Sequence, residues 1–113
     1  MRAIKIPHDP QQQMSLINVT GWQSMAAAIG EGCEYIERVN CTLTPDYRLV
    51  MVVDEDGLFR GQHPNPRGQM LYPFSPIVGT VLVMTEGDTP DGVDFVDLAD
   101  PDLALALVEE ATT

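Results

Sequence analysis

Leu49, Val50, Met51, Val52 and Val53 follow one another without a polar residue, so an extended chain here carries apolar side chains on both faces. A strand of this kind must be covered on both sides. Ile77 to Met84 repeats the pattern, interrupted only by Gly79 and Thr80, and reads as a second, central strand in which Gly79 marks a bulge or a close approach. Two such strands set the frame into which the rest of the chain must fit.

The first run leads into Asp54-Glu55-Asp56-Gly57, a set of turn formers ending in a residue that tolerates positive φ, and Leu58-Phe59-Arg60 then resumes an extended pattern. The reading is a β-hairpin in which Tyr47–Val53 pairs with Leu58–Gly61. Pro64 and Pro66 remove backbone donors and hold Asn65 in an extended or turn conformation, so pairing stops near Gly61 and a stiff loop follows.

Elsewhere the pattern predicts short strands at Arg2–Ile6 and Ser15–Val19, separated by a loop containing Pro7 and Pro10. Thr20 and Gln23 have the spacing of a capping box for a helix whose Trp22, Met25 and Ile29 share a core-facing stripe, ended by Gly30 or Gly32. Glu34–Cys41 is strand-like, Thr44-Pro45-Asp46 is a turn, and Arg67–Tyr72 suits one helical turn. Glu86–Gly92 is rich in turn formers and Val93–Leu98 suits an edge strand. Asp100 as N-cap, Pro101 at the first position and Asp102 in the first turn announce a last helix with Leu103, Ala104, Leu107 and Val108 along one side. At 113 residues, with no linker and no repeat, the chain reads as a single small α+β domain: a mostly antiparallel β-sheet of five to seven strands with two main helices.

No apolar run approaches the roughly eighteen residues that span a bilayer, and Pro7 and Asp9 interrupt the N-terminal stretch before a secretory core forms, so no membrane association and a cytoplasmic location are expected. Cys33 and Cys41 fall on one predicted strand, about 26 Å apart at 3.3 Å per residue, too far to bridge. Without a CxxC spacing they read as small core residues.

The net charge of −11 is unevenly placed: residues 1–85 hold eight acids and six bases, whereas residues 86–113 hold nine acids and no base. Such a chain repels nucleic acid and attracts cationic surfaces. Asp88, Asp91, Asp94, Asp97 and Asp100 recur every three residues, a spacing of about 10 Å if extended, sparser than duplex DNA. The segment alone imitates a nucleic acid poorly; a surface that gathered it with Asp54, Glu55 and Asp56 would do better.

The motifs Tyr35, VVDEDGLFRG, HPNPRG and SPIVGTVLVM, taken in this order, resemble a family of short actinobacterial and actinophage proteins catalogued only as a domain of unknown function. The resemblance spans roughly residues 1–98, with Gly79-Thr80 where that family has Gly-Asp and Gly68 where it has alanine. It implies a phage or mobile-element setting and supplies no catalytic residue.

The chemistry-bearing motifs are few. Aligning Gly57 with the invariant glycine of a calcium loop places Val52 and His63 where carboxylates are required, so the acidic turn is not that loop. Lys5 is the sole lysine and no phosphate-binding glycine motif exists. A metal at His63 would need His8 or a cysteine from a distant segment. No catalytic constellation, cofactor motif or metal set is assigned. The leading expectation is a non-enzymatic interaction domain whose acidic surface, Glu86, Asp88, Asp91, Asp94, Asp97, Asp100 and Asp102, binds and blocks a basic host protein that acts on nucleic acid or in defence. The rival is a small-ligand-binding domain or minor enzyme using His63, Asn65 and Arg67 of the stiff loop.

Overall fold

A computed structural model describes residues 1–43 and 48–113. In chain order the elements are β1 (Arg2–Ile6), β2 (Ser15–Asn18), α1 (Trp22–Ile29), β3 (Ile36–Asn40), β4 (Leu49–Asp54), α2 (Pro66–Leu71), β5 (Val81–Thr89), β6 (Gly92–Val96) and α3 (Pro101–Ala111). The strands form one six-stranded sheet in the order β2-β1-β5-β4-β3, with β6 also on β5, and every pairing is antiparallel. The α+β class and its strand number are those the sequence predicts, and α1 and α3 are the two main helices. Among the described residues no helix is long and apolar enough to cross a membrane.

All six residues of β4 are buried, as its unbroken apolar run requires. Leu49, Met51 and Val53 join Ile4, Ile6, Val81 and Val83 under α2 and α3, where Leu71, Ala104 and Val108 close the layer. Val50 and Val52 join Ala3, Leu82 and Met84 on the other face, against Met25 and Ile29 of α1. The sheet is therefore the middle of three layers, and each fully buried aliphatic side chain contributes about 1.5–3 kcal/mol.

Val83 pairs with both Ile4 and Met51, and Thr85 with both Leu49 and Val96, so β1 and β6 lie end to end along the same side of β5. Glu86 N–H still donates to Arg48 O at 3.1 Å. Past that point, among the described residues, β5 pairs with β6 alone, and the two continue as a two-stranded arm that turns at Pro90 and Asp91.

The hairpin expected around the acidic turn is not formed. Strand β4 pairs instead with β3, from Ile36 opposite Asp54 to Asn40 opposite Val50, and Leu58–Gly61 is coiled into successive turns. Arg60 N–H bonds Asp56 O, Gly61 N–H bonds Leu58 O, and Gln62 N–H bonds Gly57 O, which is helical rather than ladder bonding. The cause lies at Asp54: its Oδ1 accepts the Asp56 N–H and its Oδ2 is ion-paired with Arg60, so the chain curls back on the end of β4. Phe59 is left 91% exposed.

Four further boundaries move. The late strand starts at Val81, not Ile77, because Gly79 adopts φ 73° and its N–H bonds His63 O, pulling Ile77–Thr80 into the loop layer. It then runs on to Thr89, so Glu86–Thr89 is strand where turn formers were read. Helix α1 is capped at Gly21 with no side-chain bond, so the Thr20/Gln23 box does not form, and Trp22 is 57% exposed, outside the core stripe. Cys33 precedes β3, off the strand it was assigned to. In α3 the predicted cap is present, with Asp100 accepting from Leu103 N–H at 3.2 Å, yet Leu103 itself is exposed. The predicted turn Thr44-Pro45-Asp46, and Tyr47, lie outside the described residues.

Candidate functional site

The stiff loop is built around Asn65, whose side chain is fully buried. Pro64 bridges to Val78, and Asn65 N–H bonds Ile77 O at 2.9 Å, so the loop lies along the segment entering β5. Asn65 is the N-cap of α2 with Pro66 at the first helical position, its Oδ1 accepting from Gly68 N–H at 2.9 Å. Its Nδ2 donates to Ile6 O at 3.0 Å and Gly79 O at 2.8 Å. One amide thus ties together the end of β1, the start of α2 and the approach to β5. The fit at Gly68 is close: a Cβ there would sit 3.0 Å from Ile77 Cγ2 and 3.3 Å from Asn65 Cγ, so a larger residue needs these side chains to give by a few tenths of an ångström.

Arg67 is turned to the loop after β1, with Nη2 donating to Pro7 O and Asp9 O, each at 2.9 Å. It borders an open depression of about 570 Å3 with Gln12, Leu105 and Glu109, which His63 and Asn65 do not line. His63 is exposed, and its ring stacks on His8 with centroids 5.3 Å apart and planes 24° apart. Near-parallel rings hold their nitrogen lone pairs in two separate planes, so they do not converge on one ion. Among the described residues no group of three or more His, Cys, Asp or Glu is placed to hold a metal. The structure therefore brings His8, His63, Asn65 and Arg67 to one end of the sheet, with Asn65 and Arg67 directed at main-chain carbonyls.

The acidic residues are not gathered into one cluster. Asp54 is buried at the far end of β4, about 16 Å from Leu49 at the root of the arm, so the acidic turn and the arm stand apart. Glu86 is held by Arg38, which reaches across β4: Nη2 donates to Oε1 at 2.5 Å and Nε to Oε2 at 2.7 Å. Asp88 is 3.5 Å from Arg48, Asp97 accepts from Arg2 N–H at 3.0 Å, and Asp100 caps α3. Asp91, Asp94 and Asp102 are exposed and form no ion pair among the described residues.

A family profile for a domain of unknown function, DUF3846, matches residues 1–110. The chain belongs to the DUF3846 family. No curated protein and no solved structure matches it. The matched span takes in every strand of the DUF3846 sheet, α1, α2, the Asn65 clamp and all but the last residue of α3. The loop and the arm are thus parts of one family domain.

In this DUF3846 chain the two thiols are free, and burial pushes both Cys33 and Cys41 above the ordinary cysteine value, so neither is an activated thiolate. Glu86 is displaced the other way: the Arg38 hydrogen bond holds its carboxyl below the usual carboxylate range, against the opposing effect of burial. A carboxyl with a lowered folded pKa adds stability above its unfolded pKa, about 4.3, and loses it as pH falls through the folded value. Glu86→Gln is accordingly expected to cost about 1 kcal/mol at pH 7, discounted because the Arg38 side chain is 44% exposed. Urea melts of the two proteins at pH 7 and near pH 3 check this, the difference closing at the lower pH.

Sequence reasoning missed two features of the DUF3846 domain. One is the placement of His8 against His63: His8 is named as a partner that a site at His63 would need, but nothing in the sequence sets the two rings together. The other is a cavity of about 280 Å3 between the outer strand β3 and the 72–78 loop, lined in part by Glu37, Val39, Glu55, Tyr72 and Ile77. No sequence signal marks it, because it exists only once β3 has become a sheet edge.

Proposed function

We propose that this chain is a non-enzymatic interaction domain whose acidic surface docks a basic protein. The observation that carries the reading is the β5–β6 arm, which runs beyond the third strand and bears Asp88, Asp91 and Asp94 in its free part. A cavity of about 170 Å3 at its root, lined by Leu49, Thr85 and Asp100 among others, sets the start of α3 beside it. Asp100 and Asp102 thereby extend the negative field of the arm. That field reaches about 8 Å at physiological salt, so the partner docks against the arm rather than being steered from afar. The ligand-loop alternative draws less support, since Asn65 and Arg67 direct their polar groups inward to main chain.

The motif resemblance supports a phage or mobile-element accessory role in the host cytoplasm. A host nucleic-acid-binding or defence protein, blocked when its basic surface is covered, is then the class of partner.

Replacing Asp88, Asp91, Asp94 and Asp102 together by Asn removes carboxylates with little structural duty, whereas Glu86, Asp97 and Asp100 are left to theirs. Parent and quadruple variant, immobilised side by side, are exposed to host extract, and the captured basic protein is purified for stopped-flow association. The variant is expected to associate at least about tenfold more slowly at low salt and with a flatter salt dependence. Equal rates at low salt would overturn the reading.

A further inference from the structure

The outer edge of β3 has the geometry of a strand-accepting site. Glu55 N–H donates to Tyr35 O at 3.0 Å, which makes that pair a hydrogen-bonded one. Alternation along the β3–β4 register then turns the main-chain groups of Glu37 and Val39 toward β4 and those of Ile36, Arg38 and Asn40 outward. Strand β3 is the end of the sheet order, and no further strand pairs with its outer side among the described residues. An open edge of this kind is a template for another chain.

Side-chain parity adds a preference. Glu37 and Val39 lie on the sheet face where the 280 Å3 cavity opens beside the edge, with Tyr72 and Ile77 forming apolar wall and Glu55 a second carboxylate. Neither Glu37 nor Glu55 has an ion-pair partner among the described residues, while Asp54 is neutralised by Arg60 and Arg38 by Glu86. A side chain entering from an added strand therefore meets unbalanced negative charge next to Glu37 and apolar surface next to Val39. A second copy of this chain does not fit that description, because two molecules at −11 repel each other.

We propose that β3 accepts an extended segment of a partner protein as a seventh strand, and that the segment carries a basic residue and an apolar residue two positions apart on its cavity-facing side. Backbone bonds to Ile36, Arg38 and Asn40 supply affinity, and the cavity with Glu37 and Glu55 supplies selectivity. The site is separate from the β5–β6 arm, which lies on the far side of β4, and it stands whether or not the arm docks anything.

The probe is a short peptide in which threonine alternates with valine and lysine taken in turn. Titrated into the 15N-labelled protein, it is expected to shift the amides of Ile36, Arg38 and Asn40 and to slow their hydrogen exchange. Two N-methylated versions, one for each alternate set of amides, separate a ladder from loose charge attraction, because only one set faces β3. One version is expected to lose binding and the other to keep it. Glu37→Lys with Glu55→Lys is expected to weaken binding at least about tenfold, whereas Glu109→Lys with Glu110→Lys, the same change in net charge, leaves it within about twofold. Shifts confined to the arm, an equal response of the two methylated peptides, or equal weakening by the two charge variants would each overturn the proposal.

Discussion

Asn65→Ala is expected to lower the melting temperature by about 15–30 °C, corresponding to about 3–5 kcal/mol. The side chain is fully buried, and its removal leaves Ile6 O, Gly79 O and Gly68 N–H without the partners they have now. Each such group, cut off from both protein and water, costs about 1–3 kcal/mol. Asn65→Asp is expected to be at least as damaging at neutral pH: it keeps an acceptor for Gly68 but turns a carboxylate oxygen toward two carbonyls. Thermal melts followed by circular dichroism decide the matter. An alanine variant melting within a few degrees of the parent would mean that the clamp is dispensable, and would return Asn65 to consideration as a ligand contact.

Val81→Asp is expected to abolish the cooperative transition altogether. Val81 is fully buried opposite Ile6, among Ile77 and Val83, at the point where β1 and β5 first meet. A carboxylate there has no partner and costs several kcal/mol, comparable to the whole stability of a domain this size. Val81→Ala, which loses only methyl groups, is expected to cost about 2 kcal/mol and to remain folded. A sharp melt for the aspartate variant would show that the strand does not occupy the middle of the sheet.

Local pattern was enough for some elements and blind for others. Strand β4 was legible because five consecutive apolar residues have only one soluble arrangement, coverage on both faces. The helix cap at Asp100 was legible because it acts over three residues. Leu58 and Phe59 misled, since an apolar pair after a turn looks like a returning strand; the deciding contact was an ion pair from Arg60 back to Asp54. Ile77 and Val78 misled for a similar reason, being apolar to line the α2 loop rather than to extend β5. At the candidate sites the chemistry of each residue was readable but its partner was not. Asn65 bonds residues 6 and 79, Arg67 bonds residues 7 and 9, and Glu86 is held by Arg38, all far along the chain. Whether a carboxylate is free for a visitor or occupied at home depends on those distant meetings.

The place of β1 in the sheet bears on how the chain is made. Ile4 stands opposite Val83, so β1 leaves the ribosome well ahead of β5 and has to wait for it before its inner edge is paired. During synthesis the β1–β2 hairpin is a two-stranded piece, marginal in water, with an apolar face and an open side. Strands β3 and β4 likewise lack a central partner until β5 emerges. Closure is therefore a late, concerted event with a large loop entropy, placing refolding in the millisecond-to-second range of non-local sheets. Translation that stalls before residue 83 would leave both halves with exposed, unpaired strand edges.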